Sequence, residues 1–419
     1  MGVRKNQNSL TAAEKARFVA AVKKMKADSA LPHGYNKYVS MHLIAFNNAP
    51  DDNPAHSGPA FFPWHRYFLL KFENDLKTAD QLLGGDGSLT LPYWDWTHDN
   101  GDGPGAQRGE IWKDDFMGGF GQPVTTGPFR DGQWTLAPPA GGSLVRALGR
   151  SSIFPLGSPP LPEKSHVDTA MGLEGFDTPN WDQSPAEGPS LATPPAPTVG
   201  AIAGGGLSAG TYLVSITHLN PRGETRPSAE SRVTVAANGS IRVTSPPPQP
   251  SATGFNVYVT AVGGATRTGT LQGGARPFGP PVTIAAVAPG TSLPAINTTG
   301  SMRNFVEGFT GPGMHNNVHM WTGGSMAPGT SPNDPVFFLH HCNIDRLWAL
   351  WQFRHPGQNY PLLVPRVTSA GFRPHGLNDP MPPWHLPAEL KTPSDVLNHT
   401  SLGYSYDTDP VGASISVSP

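Results

Sequence analysis

The sequence predicts a mainly α-helical protein interrupted by an all-β module. Apolar residues recur every three or four positions in the stretches around 11–28, 35–46, 63–76 and 335–355, the period of a helix with one buried face. Between 188 and about 298 the pattern changes to short alternating runs separated by turn residues, the period of half-buried strands. Six of the fifteen histidines fall into two groups of three, one on each side of that interruption.

Thr11 and Glu14 form a capping-box pair for a helix running to about Asp28, with Phe18, Val19, Val22 and Met25 as its apolar stripe. Tyr35, Tyr38, Val39, His42 and Phe46 mark a second helix and put His42 on its buried face. A buried histidine needs a hydrogen-bond partner or a metal to offset its desolvation. A loop from Asn47 to Pro59 contains His56, and Pro63 is expected to open a third helix with His65 in its first turn. Trp64, Phe68, Leu69, Phe72 and Leu76 form its stripe. His42, His56 and His65 thus come from helix, loop and helix.

The second group lies between Met314 and Trp351. His315 and His319 are four apart, so on a helix they share one face. The loop Gly323 to Ser331 turns the chain, and Asp334 with Pro335 reads as the N-cap and first position of another helix. That helix carries His341 on its inward face with Ile344, Asp345 and Trp348. Asp345, one turn beyond His341, is expected to support a ligand from behind. His340 reads as an ordinary helix histidine. His33, His98, His375, His385 and His399 lack comparable placement and are expected to be non-ligands.

Composition narrows the function. The chain has 419 residues, 37% hydrophobic and 14% charged, with 49 Gly and 47 Pro, enough for a sizeable core and many turns. A formal net charge of -2 gives no electrostatic basis for binding nucleic acid or an anionic membrane. No apolar stretch is long enough to span a bilayer. Cys342 is the single cysteine, so no intrachain disulfide can form. The polar start, Met1 to Leu10, lacks the apolar core of a signal peptide; with the cysteine count it points to a cytoplasmic protein. No carboxylate intrudes among the six proposed ligands. Imidazole suits copper, zinc, iron and nickel, and copper binds most tightly in the divalent series. Two all-imidazole sites facing each other favour two copper ions able to share one O2.

Three motifs carry a family resemblance. His56 and His65 flank eight residues and end in Phe61-Phe62-Pro63-Trp64-His65-Arg66; Leu91-Pro92-Tyr93-Trp94-Asp95-Trp96 follows; the whole 314–351 stretch is the third. Together they resemble the type 3 copper family of tyrosinases, catechol oxidases and molluscan haemocyanin units, the short bacterial tyrosinases above all. The resemblance covers about residues 1–185 and 300–408. It implies a four-helix bundle housing two coppers, with His42, His56 and His65 on the first and His315, His319 and His341 on the second. It also implies that Glu307, eight residues before His315, and Asn316 hold a water that takes the phenol proton. A phenol has a pKa near 10, so binding as phenolate at neutral pH calls for a nearby base. The activity implied is ortho-hydroxylation of monophenols and oxidation of o-diphenols to o-quinones, with O2 as co-substrate. Catechol oxidase, o-aminophenol oxidase and haemocyanin-like O2 carrier are the alternatives. Some family members join a cysteine to a first-site histidine; here Cys342 follows a second-site ligand, so that crosslink is ruled out and the thiol reads as a small buried filler. Gly403-Tyr404-Ser405-Tyr406-Asp407 resembles the tyrosine motif that closes the catalytic domain.

The expected organisation is a discontinuous catalytic domain, 1–187 and 300–419, and an inserted fibronectin III or immunoglobulin-like sandwich, 188–299. Insertion is tolerable because loop closure costs grow slowly with length. His218 is the module's one histidine, so it should supply no ligand. The module either borders the active-site mouth or builds a homo-oligomer contact; copper loading by a chaperone is left open. Deleting it, by joining about Gln183 to Asn304, is expected to change substrate range or oligomer mass. Unchanged activity, substrate range and light-scattering mass would make it a passive insertion.

Overall fold

The structure is a computed structural model. It describes all residues except 29–33, 48–52, 100–108, 150–158, 178–189, 309–312, 358–359, 363, 365–374, 413–414 and 416–419. His33 therefore lies outside the described residues. The chain divides into two compact units: one holds Met1–Gly172 and Arg303–Pro419, the other Leu173–Asn180 and Ser184–Met302.

In the first unit, strand β1 (Gly2–Arg4) precedes helices α1 (Ala12–Ala27), α2 (Tyr35–Asn47), α3 (Phe61–Leu82) and α4 (Lys164–Gly172). Helix α1 starts as expected: the Thr11 hydroxyl accepts from the Glu14 N–H and the Glu14 carboxylate accepts from the Thr11 N–H. Helix α3 begins at Phe61, two residues before Pro63. First-turn amides have no partner inside a helix, so Pro63 is tolerated at the third position and does not define the start.

The second unit holds strands β2 (Val199–Leu207), β3 (Gly210–Leu219), β4 (Ser231–Val235), β5 (Gly239–Val243), β6 (Gly254–Val259), β7 (Thr270–Leu271) and β8 (Val282–Ile284). They form a three-stranded sheet in the order β2-β5-β8 and a four-stranded sheet in the order β4-β3-β6-β7, with antiparallel pairing throughout. Side chains from both sheets share one core, including Tyr212, Val214 and Ile216 of β3, Ile241 and Val243 of β5, and Phe255, Val257 and Val259 of β6. The opposite face of β3, Leu213, Ser215 and Thr217, is buried as well. The run is therefore covered on both sides, which its alternation of apolar and polar residues did not imply.

The chain continues with α5 (Met302–Glu307), α6 (Met314–Thr322), α7 (Val336–Arg354), the hairpin β9 (His385–Leu386) and β10 (Glu389–Leu390), and β11 (Tyr404–Tyr406), which pairs in parallel with β1. Aromatic side chains join the ligand-bearing helices. Phe338 of α7 stacks on Phe72 of α3 with centroids 3.5 Å apart, and Tyr38 of α2 meets Phe68 and Phe72 edge-on. Phe337 of α7 touches the rings of His42 and His319. No described helix is long and apolar enough to cross a membrane.

Helix α7 is buried on every side from Val336 to Ala349. This changes the role of Asp345. Its carboxylate accepts from Arg66 Nε (2.5 Å), Arg4 Nη1 (3.2 Å) and the hydroxyls of Tyr404 and Tyr406 (2.6 Å each). Among the described residues these partners include no histidine: a helix with no solvent face presents a residue one turn from His341 to different neighbours, so any support Asp345 gives the ligand runs through them. Burial alone would raise the Asp345 pKa, but the Arg66 and Arg4 guanidiniums overcome that and hold it below the usual carboxylate value. Arg4 also pairs with Glu73 (2.8 Å) and lies over the Tyr404 ring. One carboxylate thus ties β1, α3, α7 and β11 together. At the other end of α7, Asp334 accepts a bidentate pair from Arg146 (2.7 and 2.6 Å) and a bond from the Val336 N–H (3.1 Å); the helix starts at Val336 with Pro335 in the N-cap place, one residue later than expected.

Breaking a buried ion pair from one side strands the remaining charge. Asp345→Ala is expected to lower unfolding free energy by about 3–5 kcal/mol, read by denaturant unfolding. A loss under about 1 kcal/mol would show that the cluster does not hold these elements.

Candidate metal centre

Six histidines converge from α2, the loop before α3, α3, α6 and α7. Local hydrogen bonds aim their rings. His42 Nδ1 lies 2.7 Å from the Gly329 carbonyl, His65 Nδ1 2.8 Å from that of Phe61, and His319 Nδ1 2.7 Å from that of Met326. A carbonyl only accepts, so each Nδ1 carries the proton and each Nε2 the lone pair. His315 Nδ1 faces Asn316 Oδ1 at 2.9 Å, with the same consequence. His56 is set by its loop: Asn53 Oδ1 accepts from the Ala55 and His56 N–H groups (3.1 and 3.0 Å), and Ser57 follows at φ 68° with its N–H donated to Glu307.

The first group is compact, with ring centroids of His42, His56 and His65 between 5.0 and 5.9 Å apart. In the second, the Nε2 atoms of His315, His319 and His341 lie 3.0–3.3 Å from one another. The groups face each other: the His65 and His341 rings stack at 4.2 Å, and His56 and His315 are 6.2 Å apart. Burial pushes His42 down to about 3 and His319 down to about 4, and holds His56, His65, His315 and His341 well below the ordinary value, with neighbouring imidazoles adding to the effect in those four. Neutral donors are what a cation requires.

His340 belongs to the second cluster by distance, contrary to its reading as an ordinary helix residue. Its Nδ1 accepts from Trp96 Nε1 at 3.0 Å. An indole only donates, so the His340 proton sits on Nε2 and no lone pair is left for a cation. His340 instead stacks on His315 with centroids 5.2 Å apart and backs it. The adjacent pair His340-His341 was the sequence signal. The non-ligand histidines stay apart: His98 is mostly exposed beside Asp95, His385 is exposed, His375 is buried elsewhere, and His399 pairs with Asp409 at 2.7 Å. His218 is in the β unit beside Gln249. Burial pushes the Cys342 thiol up to about 12, so it is an inert filler there.

Glu307 is buried, with one oxygen on Arg303 (2.9 Å) and the other on the Ser57 N–H. Asn316 is half-buried, and its Nδ2 donates to the Gly308 carbonyl at 3.2 Å. A cavity of about 550 Å³ opens onto the histidines and is lined also by Phe46, Ser57, Asn316 and Met320. Phe46, expected on the buried stripe of α2, is 45% exposed and stands in this mouth.

The family model "Common central domain of tyrosinase" matches residues 32–159 and 279–354. The chain is 30% identical to the tyrosinase of Streptomyces antibioticus, over 97% of this chain and 100% of that one. It is 31% identical to the grixazone synthase of Streptomyces griseus, over 97% and 99%. This chain belongs to the tyrosinase family.

As a tyrosinase-family polyphenol oxidase it is a copper-dependent oxidoreductase that uses two copper ions and O2. The residues present fit that metal. His42 Nε2 and His65 Nε2 are buried without a hydrogen-bond partner, a costly state for a lone pair unless a cation fills it. Three nitrogens each about 2.0 Å from one ion would lie roughly 3.3 Å apart, close to the spacing of the second group.

His319→Ala is expected to abolish catechol oxidation and to lower bound copper from about two ions per chain toward about one, read by metal analysis. Full activity with an unchanged copper content would remove His319 from the centre.

Proposed function

We propose that His42, His56 and His65 hold the first copper and His315, His319 and His341 the second, with α2, α3, α6 and α7 as the four-helix bundle around them. The observation that carries this reading is the pair of facing clusters, in which four of the six rings, His42, His65, His315 and His319, have a hydrogen-bonded Nδ1 that leaves the lone pair on Nε2. When bound, the copper pair supplies O2 binding and the two-electron chemistry that hydroxylates a phenol or oxidises a diphenol.

The chain's own residues do the rest. Backbone carbonyls of Gly329, Phe61 and Met326 keep three imidazoles in the one tautomer that can bind. Phe337, stacked on His341 at 4.1 Å, helps keep water from the second cluster. A monophenol must lose its proton to bind as phenolate. Asn316 and Ser57 line the cavity, and Glu307 stands behind Ser57. A carboxylate is a proton acceptor and an amide both donates and accepts, so Glu307 and the Asn316 amide are suited to holding a water that takes the phenolic proton. Glu307 also fixes Ser57 and hence the turn after His56, a positioning task the sequence did not reveal.

The second unit fits a fibronectin III or immunoglobulin-like module spanning about 188–299: its two antiparallel sheets enclose one apolar core. Phenolic small molecules are the substrates; self-association through this module and chaperoned copper loading belong to the same reading. The open cavity favours an oxidase over an O2 carrier.

Oxygen uptake with tyrosol, catechol and o-aminophenol is the test. Turnover of tyrosol as well as catechol is expected. Diphenol turnover alone, even after a long lag, would reduce the enzyme to a catechol oxidase, and preference for o-aminophenol would make it an aminophenol oxidase. Glu307→Gln should lower tyrosol turnover more than catechol turnover. It should also cost about 3 kcal/mol of stability, because the buried Arg303 loses the carboxylate charge of Glu307. Asn316→Asp is expected to shift the same ratio with little loss of stability.

A further inference from the structure

Two features of the cavity mouth bear on which phenols enter. Resting on the functional reading above, we propose that this site selects phenols whose ring substituent is uncharged and apolar, and that Phe46 is the specificity-determining residue against which that substituent lies.

The first observation is the placing of Phe46. It sits one turn beyond His42 on α2, and its ring meets the His56 ring edge-on, 5.4 Å away at 76°. The backbone of Gly329 also lies against it: a Cβ added there would lie 2.7 Å from Phe46 Cδ1. A ligand ring and a side-chain-free stretch of loop therefore hold the phenyl ring in place. Even so it remains 45% exposed and presents apolar surface to the cavity. A large aromatic fixed at a cavity mouth and left partly wet gains by being covered.

The second observation is the charge of the mouth. Among the described residues lining the cavity there is no Lys, Arg, Asp or Glu. Met320, a half-buried thioether, lines the cavity together with Ala327, Pro328 and Gly329. The Asn316 amide bonds His315 and the Gly308 carbonyl, and being neutral it offers no charge to a carboxylate. A carboxylate carried in on a phenol's side chain would lose water and meet no cation. An alkyl chain of the same length would shed water against Phe46 and Met320 at a gain. A soft thioether adapts to such chains without dictating one shape.

The test compares three o-diphenols with the copper-loaded enzyme, so that the chemistry is constant and the tail varies. Catechol has no tail, 4-propylcatechol an apolar one, and 3-(3,4-dihydroxyphenyl)propanoate an anionic one of equal length. The expected order in kcat/KM places 4-propylcatechol about fivefold or more above the propanoate, carried by KM with kcat alike. Phe46→Ala should raise KM for 4-propylcatechol about fivefold while leaving catechol unmoved, and Phe46→Leu should restore most of it. Met320→Arg should lower KM for the propanoate alone, by up to about fivefold. An equal or lower KM for the propanoate in the wild-type enzyme, or a Phe46→Ala effect shared by catechol and 4-propylcatechol, overturns the proposal while the oxidase reading stands. A wild-type enzyme that cannot oxidise catechol sinks the oxidase reading and this one with it.

Discussion

Six imidazoles can share two small cations only if every inward nitrogen is free of a proton. The architecture answers that constraint mainly with backbone carbonyls. Gly329, Phe61 and Met326 each take an Nδ1–H, and the Asn316 side chain takes a fourth. Burial adds a second safeguard by keeping the rings neutral. The chemistry of a redox pair thus rests on where a few peptide oxygens point, and those oxygens are fixed by helix starts and by the loop between α6 and α7.

Holding that loop and those helices still is the task of two buried ionic clusters. Arg146 and Asp334 clamp the start of α7, and Arg4, Arg66, Glu73 and Asp345 clamp its middle to the first and last strands. Neither cluster touches a ligand nitrogen. Both set the pitch and rotation of the helix that delivers His341. The tyrosines of β11 belong to this second cluster: their hydroxyls supply Asp345 with donors that its two guanidiniums alone do not exhaust.

Much of this was legible in the sequence, and the failures have physical reasons. Periodicity located α1, α2, α3 and α7, and the capping pair Thr11 and Glu14 gave the start of α1. The six histidines were legible because helical spacing brings His315 and His319 to one face. Burial misled the reading where a helix has no outside. On α7 the spacing between His341 and Asp345 implied a shared role, but an element covered on all faces serves several neighbours at once. Phe46 was read as core because period alone cannot distinguish a core from the wall of a cavity. His340 was underrated because its function depends on the indole of Trp96, a residue far away in sequence. Arg4, Arg66 and Arg146 went unremarked for a similar reason: a buried arginine is recognised only through its partners.

Gly329 performs two tasks with one residue. Its oxygen orients a metal-binding ring, and its bare α-carbon lets Phe46 lie where it does. Evolution of such a protein is therefore coupled in a specific way. A bulkier residue at this position would reshape the entrance and tug on the His42 ring in the same stroke. Lineages exploring new substrates by that route would meet a penalty in the holding of His42.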